Sequence, residues 1–234
     1  MAYEILKPEW GAERLILGIL FDMDGLVLDS EILYSRFWRE ACGWFGYEMD
    51  YEQSLQMRAL NTRLGQEKIR SFFGEGADYT AIRSKRIALM DAYIEENGVA
   101  LKPGIRELLA FAKSNGIRTA ITSSSPMERI RSHLGRHGLD TAFDALVSGH
   151  QVPRGKPEPD IYLRGGSVLG LKPEHCLALE DAPAGILSAY RAGCLPVMIP
   201  DLDQPDEATL PLLYGKADSL RDIIDLINAK TGHQ

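Results

Sequence analysis

Residues 15–29 have the sequence LILGILFDMDGLVLD, an apolar run followed by spaced aspartates. An apolar run without polar alternation is typical of a strand buried on both faces of a sheet, and we predict a strand over residues 15–23. Because residues i and i+2 of an extended chain point the same way, Asp22 and Asp24 should project together beyond this strand. Placing two carboxylates side by side is unfavourable unless a cation joins them or one of them is protonated.

Four further short apolar runs extend this prediction to a whole sheet. The additional strands are predicted over residues 118–122, 145–148, 176–179 and 196–199. Apolar residues recur at helical spacing over 105–112 and 220–227, and Gly116 is expected to stop the first of these helices. Strands that alternate with helices predict an α/β fold, a Rossmann-like parallel sheet with helices on both faces. In such sheets, functional groups gather beyond the carboxyl ends of the strands.

The segment 31–102 breaks this alternation, because it contains no convincing strand. Long helical patterns cover residues 32–45 and 79–97 instead. We therefore predict a small all-helical cap inserted after the first strand, with hinges near Ser30 and Pro103. The predicted domains are a catalytic core of residues 1–30 and 103–234 and a cap of residues 31–102.

The composition is that of an ordinary globular protein. Of the 234 residues, 45% are hydrophobic, and 26 basic against 33 acidic residues give a formal net charge of −7. This balance argues against nucleic acid or an anionic membrane as a partner, since either would need a basic face. No apolar run approaches about 18 residues and no signal-peptide pattern is present, so we expect no membrane span and a cytoplasmic location. The three widely spaced cysteines are expected to be core residues in a reducing compartment.

Polar residues also follow the later strands. The sequence TSSS occupies residues 122–125, RGKPEPD occupies 154–160, and EDAPAG occupies 180–185. Each segment also has an ordinary structural explanation. The serines of TSSS could cap a helix, RGKPEPD could be a solvated loop, and the acids of EDAPAG could favour the start of a helix. Asp22, Asp24, Glu180 and Asp181, with one hydroxyl of the TSSS segment and the lysine of RGKPEPD, give four carboxylates, a hydroxyl and a lysine, which suit a magnesium ion and a phosphoryl group.

The segments DMDGLVLD, ITSSS, GKPEPD and LALEDAPAG, in this order, are similar to the four motifs of the haloacid dehalogenase superfamily. The chain most resembles the branch with a helical cap after the first strand, which contains beta-phosphoglucomutase, sugar-phosphate phosphatases and pseudouridine-5'-phosphatase. The resemblance covers nearly the whole chain from about Ile16 onward. It implies an aspartyl-phosphate mechanism that depends on Mg²⁺.

The resemblance also implies a role for each motif residue. Asp22 would be the nucleophile, and Asp24 would be the general acid and base. Ser123 would bind the phosphoryl oxygens, and Lys156 would neutralise charge and orient Asp22. The implied ligands of Mg²⁺ are Asp22, Glu180, Asp181 and the backbone carbonyl of Asp24.

These roles imply a phosphatase that hydrolyses a small phosphate monoester, either a sugar phosphate or a nucleoside monophosphate. Its partner would be a small phosphorylated metabolite, and the chain would be a monomer or a weak dimer. The alternative is phosphoryl transfer to a sugar hydroxyl, as in beta-phosphoglucomutase. Mutases of this branch usually carry a histidine where Tyr34 stands here, which favours the phosphatase. Related dehalogenases lack the second acid of the first motif, here Asp24. Receiver modules combine similar groups but are shorter and have no cap.

The cap is expected to select the substrate. Arg58 and Arg63 stand where relatives place cap residues that reach the active site, and Arg63 is the stronger candidate for a phosphate or leaving-group contact. The competing interpretation is an arginine on an exposed helix surface. Tyr34 and Ser124 are further candidates for substrate binding.

Overall fold

The computed structural model describes residues 2–11, 15–57, 60, 62–201 and 204–231. The chain divides into two compact units. Met1–Leu28 and Ala100–Gln234 form the first, which we call the core unit, and Asp29–Val99 form the second, which we call the cap unit. Within the described ranges, no helix is both long and apolar enough to cross a membrane.

The helices and strands follow one another in a largely alternating order outside the cap unit. The strands are β1 (Tyr3–Ile5), β2 (Gly18–Phe21), β3 (Arg118–Ser123), β4 (Ala145–Ser148), β5 (Cys176–Glu180), β6 (Leu195–Met198) and β7 (Gly215–Ala217). The α-helices are α1 (Pro8–Gly11), α2 (Glu31–Trp44), α3 (Tyr51–Leu55), α4 (Thr62–Phe73), α5 (Tyr79–Asn97), α6 (Ile105–Ser114), α7 (Met127–Gly135), α8 (Asp160–Val168), α9 (Pro183–Ala192) and α10 (Asp222–Thr231).

The strands of the described residues form one sheet in the order β1-β7-β6-β5-β2-β3-β4. Neighbouring strands from β7 to β4 are parallel, which confirms the predicted α/β fold. β1 runs antiparallel to β7, so the sheet is mixed at this edge and not purely parallel as expected. Both of these strands lie outside the predicted set. Each has three residues, and their sequences, YEI and GKA, contain no apolar run that would indicate a buried strand.

β2 is an interior strand of the sheet, between β5 and β3, and is shorter than predicted. It covers Gly18–Phe21. The apolar run of the sequence begins earlier, but Leu15 and Leu17 are 68% and 39% exposed and precede the strand. All four residues of β2 are buried. Phe21 pairs with Ile121 of β3 on one side and with Leu179 of β5 on the other. The residue after β2 is therefore held between the ends of two neighbouring strands.

Helices cover both faces of the sheet. Leu20 belongs to a buried cluster that contains Tyr162 of α8 and Ala189 of α9. Ile19 and Phe21 are also fully buried and, because strand residues alternate in direction, they point to the opposite face. On that side α6 packs against β3 and against α10. Each large side chain buried in this way stabilises the fold by about 1.5–3 kcal/mol.

Two glycines set the ends of α6. Gly104 precedes the helix with φ 93°, and a Cβ there would lie 2.7 Å from the backbone nitrogen of Arg221, so a side chain would be both strained and obstructed. At the other end α6 stops at Ser114, and Gly116 follows with φ 67°. The predicted helix stop at Gly116 is confirmed.

The cap unit is helical, and none of its described residues (29–57, 60 and 62–99) lies in a strand. α2 packs against α3 and α5, and α4 packs against α5. Trp38 of α2 stacks on Tyr79 of α5 with ring centroids 5.7 Å apart, inside a cluster of buried side chains. The unit therefore has an apolar core of its own.

Candidate active site

Three charged residues meet in the interior of the core unit, just beyond the ends of β2 and β5. Asp22 directly follows β2, Glu180 is the last residue of β5, and Lys156 lies in the loop before α8. The Lys156 Nζ lies 2.5 Å from Asp22 Oδ1 and 2.6 Å from Glu180 Oε1. Asp22 and Glu180 are 8% and 1% exposed. Because β2 and β5 are adjacent and parallel, two carboxylates distant in sequence come to share one ammonium group.

The single ammonium group of Lys156 faces two carboxyl groups, those of Asp22 and Glu180. Burial is the main cause that raises the pKa of Asp22, to about 7, with further contributions from Glu180 and Asp24, whereas Lys156 acts to lower it. Burial by itself would lower the pKa of Lys156, but the attraction of Asp22 and Glu180 outweighs it and the pKa is raised, so the amine stays protonated. A second cation beside the carboxylates would favour ionised Asp22.

Asp181 brings a third carboxylate to the same place. Asp22, Glu180 and Asp181 each offer an oxygen atom, and these atoms all lie within 4.8 Å of one another. Oxygen ligands at this mutual distance suit a hard divalent cation such as Mg²⁺. Asp181 is partly exposed, which leaves this corner of the group open to solvent. The donor set therefore fits the ion that the sequence motifs imply.

Asp24 is held by a different set of contacts. Its Oδ2 accepts a hydrogen bond of 3.0 Å from Ser125 Oγ, while Ser125 N donates to Ser123 Oγ over 3.1 Å. Ser148 Oγ fixes the same segment by donating to the Ser125 carbonyl oxygen. Ser123 is buried at the end of β3, and Ser124 is exposed beside it. The second acid of the first motif is thus oriented by the serine cluster of the second motif.

Two residues outside the predicted set hold Glu180 in place. The hydroxyl of Tyr162, in α8, donates a hydrogen bond to Glu180 Oε1 and is fully buried. Burial raises the pKa of Tyr162 well above its usual value, so it remains a donor. Gly185, in α9, leaves space for the carboxylate, since a Cβ there would lie 2.0 Å from Glu180 Cδ. In the sequence, Tyr162 places a hydroxyl group in an otherwise apolar stretch, two residues after Asp160 at the start of a helix. This is the signal that could have identified it.

The predicted substrate residues of the cap unit occupy two different environments. Arg63 lies on α4 with its side chain 75% exposed, and it forms an ion pair of 2.9 Å with Glu67. Tyr34 lies on α2 and is partly buried, with the guanidinium of Arg86 4.5 Å from the centre of its ring. Arg58 lies outside the described residues. A substrate contact for Arg63 or Tyr34 stays a prediction.

Comparisons with known proteins agree with the motifs and the fold. The family model for haloacid dehalogenase-like hydrolases matches residues 16–193. Hexitol phosphatase A of Escherichia coli (strain K12) is 35% identical over 178 residues, which cover 76% of this chain and 80% of that protein. Hexitol phosphatase B of the same strain is 29% identical over 213 residues, 90% of this chain and 95% of that protein.

A solved structure gives the same result for the fold. CbbY from Rhodobacter sphaeroides, in complex with phosphate, superposes with a TM-score of 0.68 at 27% identity and covers 89% of this chain and 96% of that one. The family match spans the four motifs up to the glycine that ends α9. This chain therefore belongs to the haloacid dehalogenase-like hydrolases.

Proposed function

We propose that this protein is a Mg²⁺-dependent phosphatase that hydrolyses a small phosphate monoester, a sugar phosphate or a nucleoside monophosphate, through an aspartyl-phosphate intermediate. The main support is the buried group formed by Asp22, Lys156 and Glu180. A carboxylate that is buried against an ammonium, with Asp181 beside it, is the arrangement that nucleophilic attack on a phosphate dianion requires. Relatives named as hexitol phosphatases agree with a small phosphorylated substrate.

In the first half of the reaction, a carboxylate oxygen of Asp22 attacks phosphorus and the bond to the leaving oxygen breaks. Lys156 lowers the repulsion between the two anions and keeps the Asp22 carboxylate in place. Ser123 would bind a phosphoryl oxygen. When held by Asp22, Glu180, Asp181 and the backbone carbonyl of Asp24, Mg²⁺ supplies positive charge that offsets the charge of the phosphoryl group.

Asp24 would act in both halves of the reaction. Its Oδ2 is engaged by Ser125, which leaves Oδ1 to give a proton to the departing oxygen. The carboxylate formed in that step then removes a proton from the water molecule that attacks the aspartyl phosphate. Hydrolysis regenerates Asp22 and releases inorganic phosphate, with Asp24 protonated again for the next turnover.

The competing function is phosphoryl transfer of the beta-phosphoglucomutase type. Tyr34 stands where mutases of this branch usually have a histidine, and its ring lies against the Arg86 guanidinium. Because that histidine is absent here, we favour transfer to water. We also propose that the segment 31–102 acts as a lid that selects small substrates.

Phosphate release from a panel of small phosphate esters in the presence of Mg²⁺ tests the proposal. The panel contains hexitol phosphates, nucleoside monophosphates and glucose 1-phosphate, and the glucose 6-phosphate formed from the last compound is measured separately. We expect phosphate release by the parent protein and none by Asp22→Asn. Formation of glucose 6-phosphate faster than release of phosphate would instead establish the mutase.

A further inference from the structure

The turn that carries Lys156 must be fixed if its ammonium group is to keep one position. A lysine side chain is a point charge on a long flexible stem, so the place of the charge depends on where the backbone is held. The turn covers residues 155–158 and is closed by the Glu158 amide, which donates to the Gly155 carbonyl oxygen over 3.0 Å. Gly155 and Pro157 are exposed, so the packing of the turn itself does little to hold it.

Helix α9 holds this turn through two side chains. Ser188 Oγ donates a hydrogen bond of 2.6 Å to the Glu158 carbonyl oxygen, and Ser188 is fully buried. Arg191 Nη1 donates to the Pro157 carbonyl oxygen over 3.2 Å and to Glu158 Oε1 over 3.1 Å. The two residues that directly follow Lys156 are therefore both bound to α9 through their backbone carbonyl groups.

The same helix also contacts Glu180. Gly185, Ser188 and Arg191 are spaced three residues apart, so each is the neighbour of the next along one side of α9. Gly185 lies against the Glu180 carboxylate, since a Cβ there would lie 2.0 Å from Cδ. One side of a single helix thus fixes both Glu180 and the turn that brings Lys156 to it. All of these residues belong to the core unit.

We infer that Ser188 and Arg191 are positioning residues for the reaction, because they hold the turn of residues 155–158 on α9 and so place the Lys156 ammonium between Asp22 and Glu180. Reacting groups must be held within about 0.5 Å of their productive geometry, which requires supporting hydrogen bonds of this kind. Ser188 should contribute more than Arg191, whose side chain is 42% exposed. The kinetic consequence of this inference rests on the proposed phosphatase function.

Acetylation of Lys156 by an N-hydroxysuccinimide ester, quantified by mass spectrometry on the folded full-length protein, tests the inference without any substrate. The Lys156 side chain is 9% exposed and ion-paired, so it should react slowly in the parent protein. We expect Ser188→Ala to raise the labelling rate about tenfold, the factor expected for one lost hydrogen bond, and Arg191→Met to raise it by a smaller factor. The kcat of ester hydrolysis per folded molecule should fall about tenfold in Ser188→Ala, because Lys156 is displaced from the reacting groups.

A matched serine separates this effect from the general cost of losing a buried hydroxyl. Ser54 of the cap unit is 1% exposed, and its Oγ donates to the Tyr51 carbonyl oxygen over the same distance, 2.6 Å. Ser54→Ala should therefore lower the free energy of unfolding in a similar way but leave Lys156 labelling at the parent rate. The free energy of unfolding of Ser188→Ala and Ser54→Ala is measured on the same samples.

A second comparison covers the case in which Ser188→Ala does not fold. Arg191→Met changes an exposed side chain, and its control is Arg164→Met, which removes an exposed arginine of α8. Lys156 labelling in Ser188→Ala and Arg191→Met at the rates of their controls would overturn the inference, as would faster labelling with an unchanged kcat. The two failures are distinguishable: a parent protein that hydrolyses no ester overturns the proposed function, whereas labelling at the control rate overturns the positioning role alone.

Discussion

Removal of the Tyr162 hydroxyl is a small change with a defined consequence for the acidic group. In Tyr162→Phe the ring is retained, but Glu180 Oε1 loses one of the two side-chain donors that it has among the described residues and keeps Lys156, 2.6 Å away. Glu180 is 1% exposed, so bulk water cannot easily replace the hydroxyl. A hydrogen bond to a charged group contributes about 1.5–3 kcal/mol to the free energy of unfolding. Because Lys156 still donates to Glu180, we expect a loss near the lower end of this range, about 1.5 kcal/mol.

The same substitution should weaken the metal dependence of the reaction. Glu180 is both the acceptor for Tyr162 and a proposed ligand of Mg²⁺. Loss of a residue that orients a metal ligand typically costs 10–100-fold in metal affinity or activity, so the half-activating Mg²⁺ concentration of Tyr162→Phe should rise by about that factor. The assay is initial-rate phosphate release over a range of free Mg²⁺, with the free energy of unfolding measured by denaturant titration of the same samples.

A matched control separates this effect from the general cost of a buried hydroxyl. Tyr214 is 1% exposed and lies outside the acidic group, so Tyr214→Phe should leave the half-activating Mg²⁺ concentration at the parent value. Tyr162→Phe with parent stability and parent metal dependence would show that the hydroxyl does not hold Glu180.

Two further predictions concern the same group. Gly185→Ala would place a methyl group 2.0 Å from Glu180 Cδ, so we expect a loss of about 1–3 kcal/mol in unfolding free energy together with most of the activity. Gly43→Ala, where a Cβ meets nothing within 4 Å on α2, should not destabilise the protein, and equal effects of the two would contradict the steric explanation. Excess EDTA should abolish hydrolysis and Mg²⁺ should restore it, while saturating Mg²⁺ should also raise the unfolding temperature, because the ion binds the folded state. Full activity in EDTA would exclude the metal requirement.

The central strands could be predicted because their physical signal is local. β2 and β5 are buried along their whole lengths, and burial on both faces requires the apolar runs that the sequence displays. β1 has no such signal, since its YEI sequence is only partly buried and its pairing partner lies more than two hundred residues away, with Tyr3 opposite Ala217. The antiparallel edge of the sheet therefore depends on contacts that sequence pattern alone does not reveal.

The core of the candidate site could be predicted for the same reason. Asp22 lies near the end of one predicted strand, Glu180 and Asp181 follow another, and parallel neighbours bring their carboxyl ends together. Tyr162 and Gly185 could not be assigned in this way. Both lie near the starts of helices, where a tyrosine or a glycine has many possible environments, and their roles arise from where α8 and α9 pack.

Arg86 shows that the burial of a charged residue cannot be read from the sequence pattern alone. The buried residues of α5 recur at helical spacing along one face, and Arg86 occupies a position in that series between Ile82 and Met90. In the sequence it stands next to Lys85, and such a basic pair on a helix usually indicates a solvated surface. Its burial depends on the position of α2, whose rings of Tyr34 and Trp38 lie beside the guanidinium.

The proposed mechanism assigns different roles to two aspartates that lie two residues apart, and acid-quenched labelling tests this assignment most directly. Radioactive acetyl phosphate, whose leaving group needs little protonation, is incubated with Mg²⁺ and with Asp22→Asn or Asp24→Asn. Asp22→Asn should acquire no covalent label. Asp24→Asn should hydrolyse ordinary esters about 10²–10⁴ times more slowly than the parent and should accumulate a labelled aspartyl phosphate. Stable label on Asp22→Asn, together with parent-rate hydrolysis by Asp24→Asn, would contradict the assignment of nucleophile and acid/base.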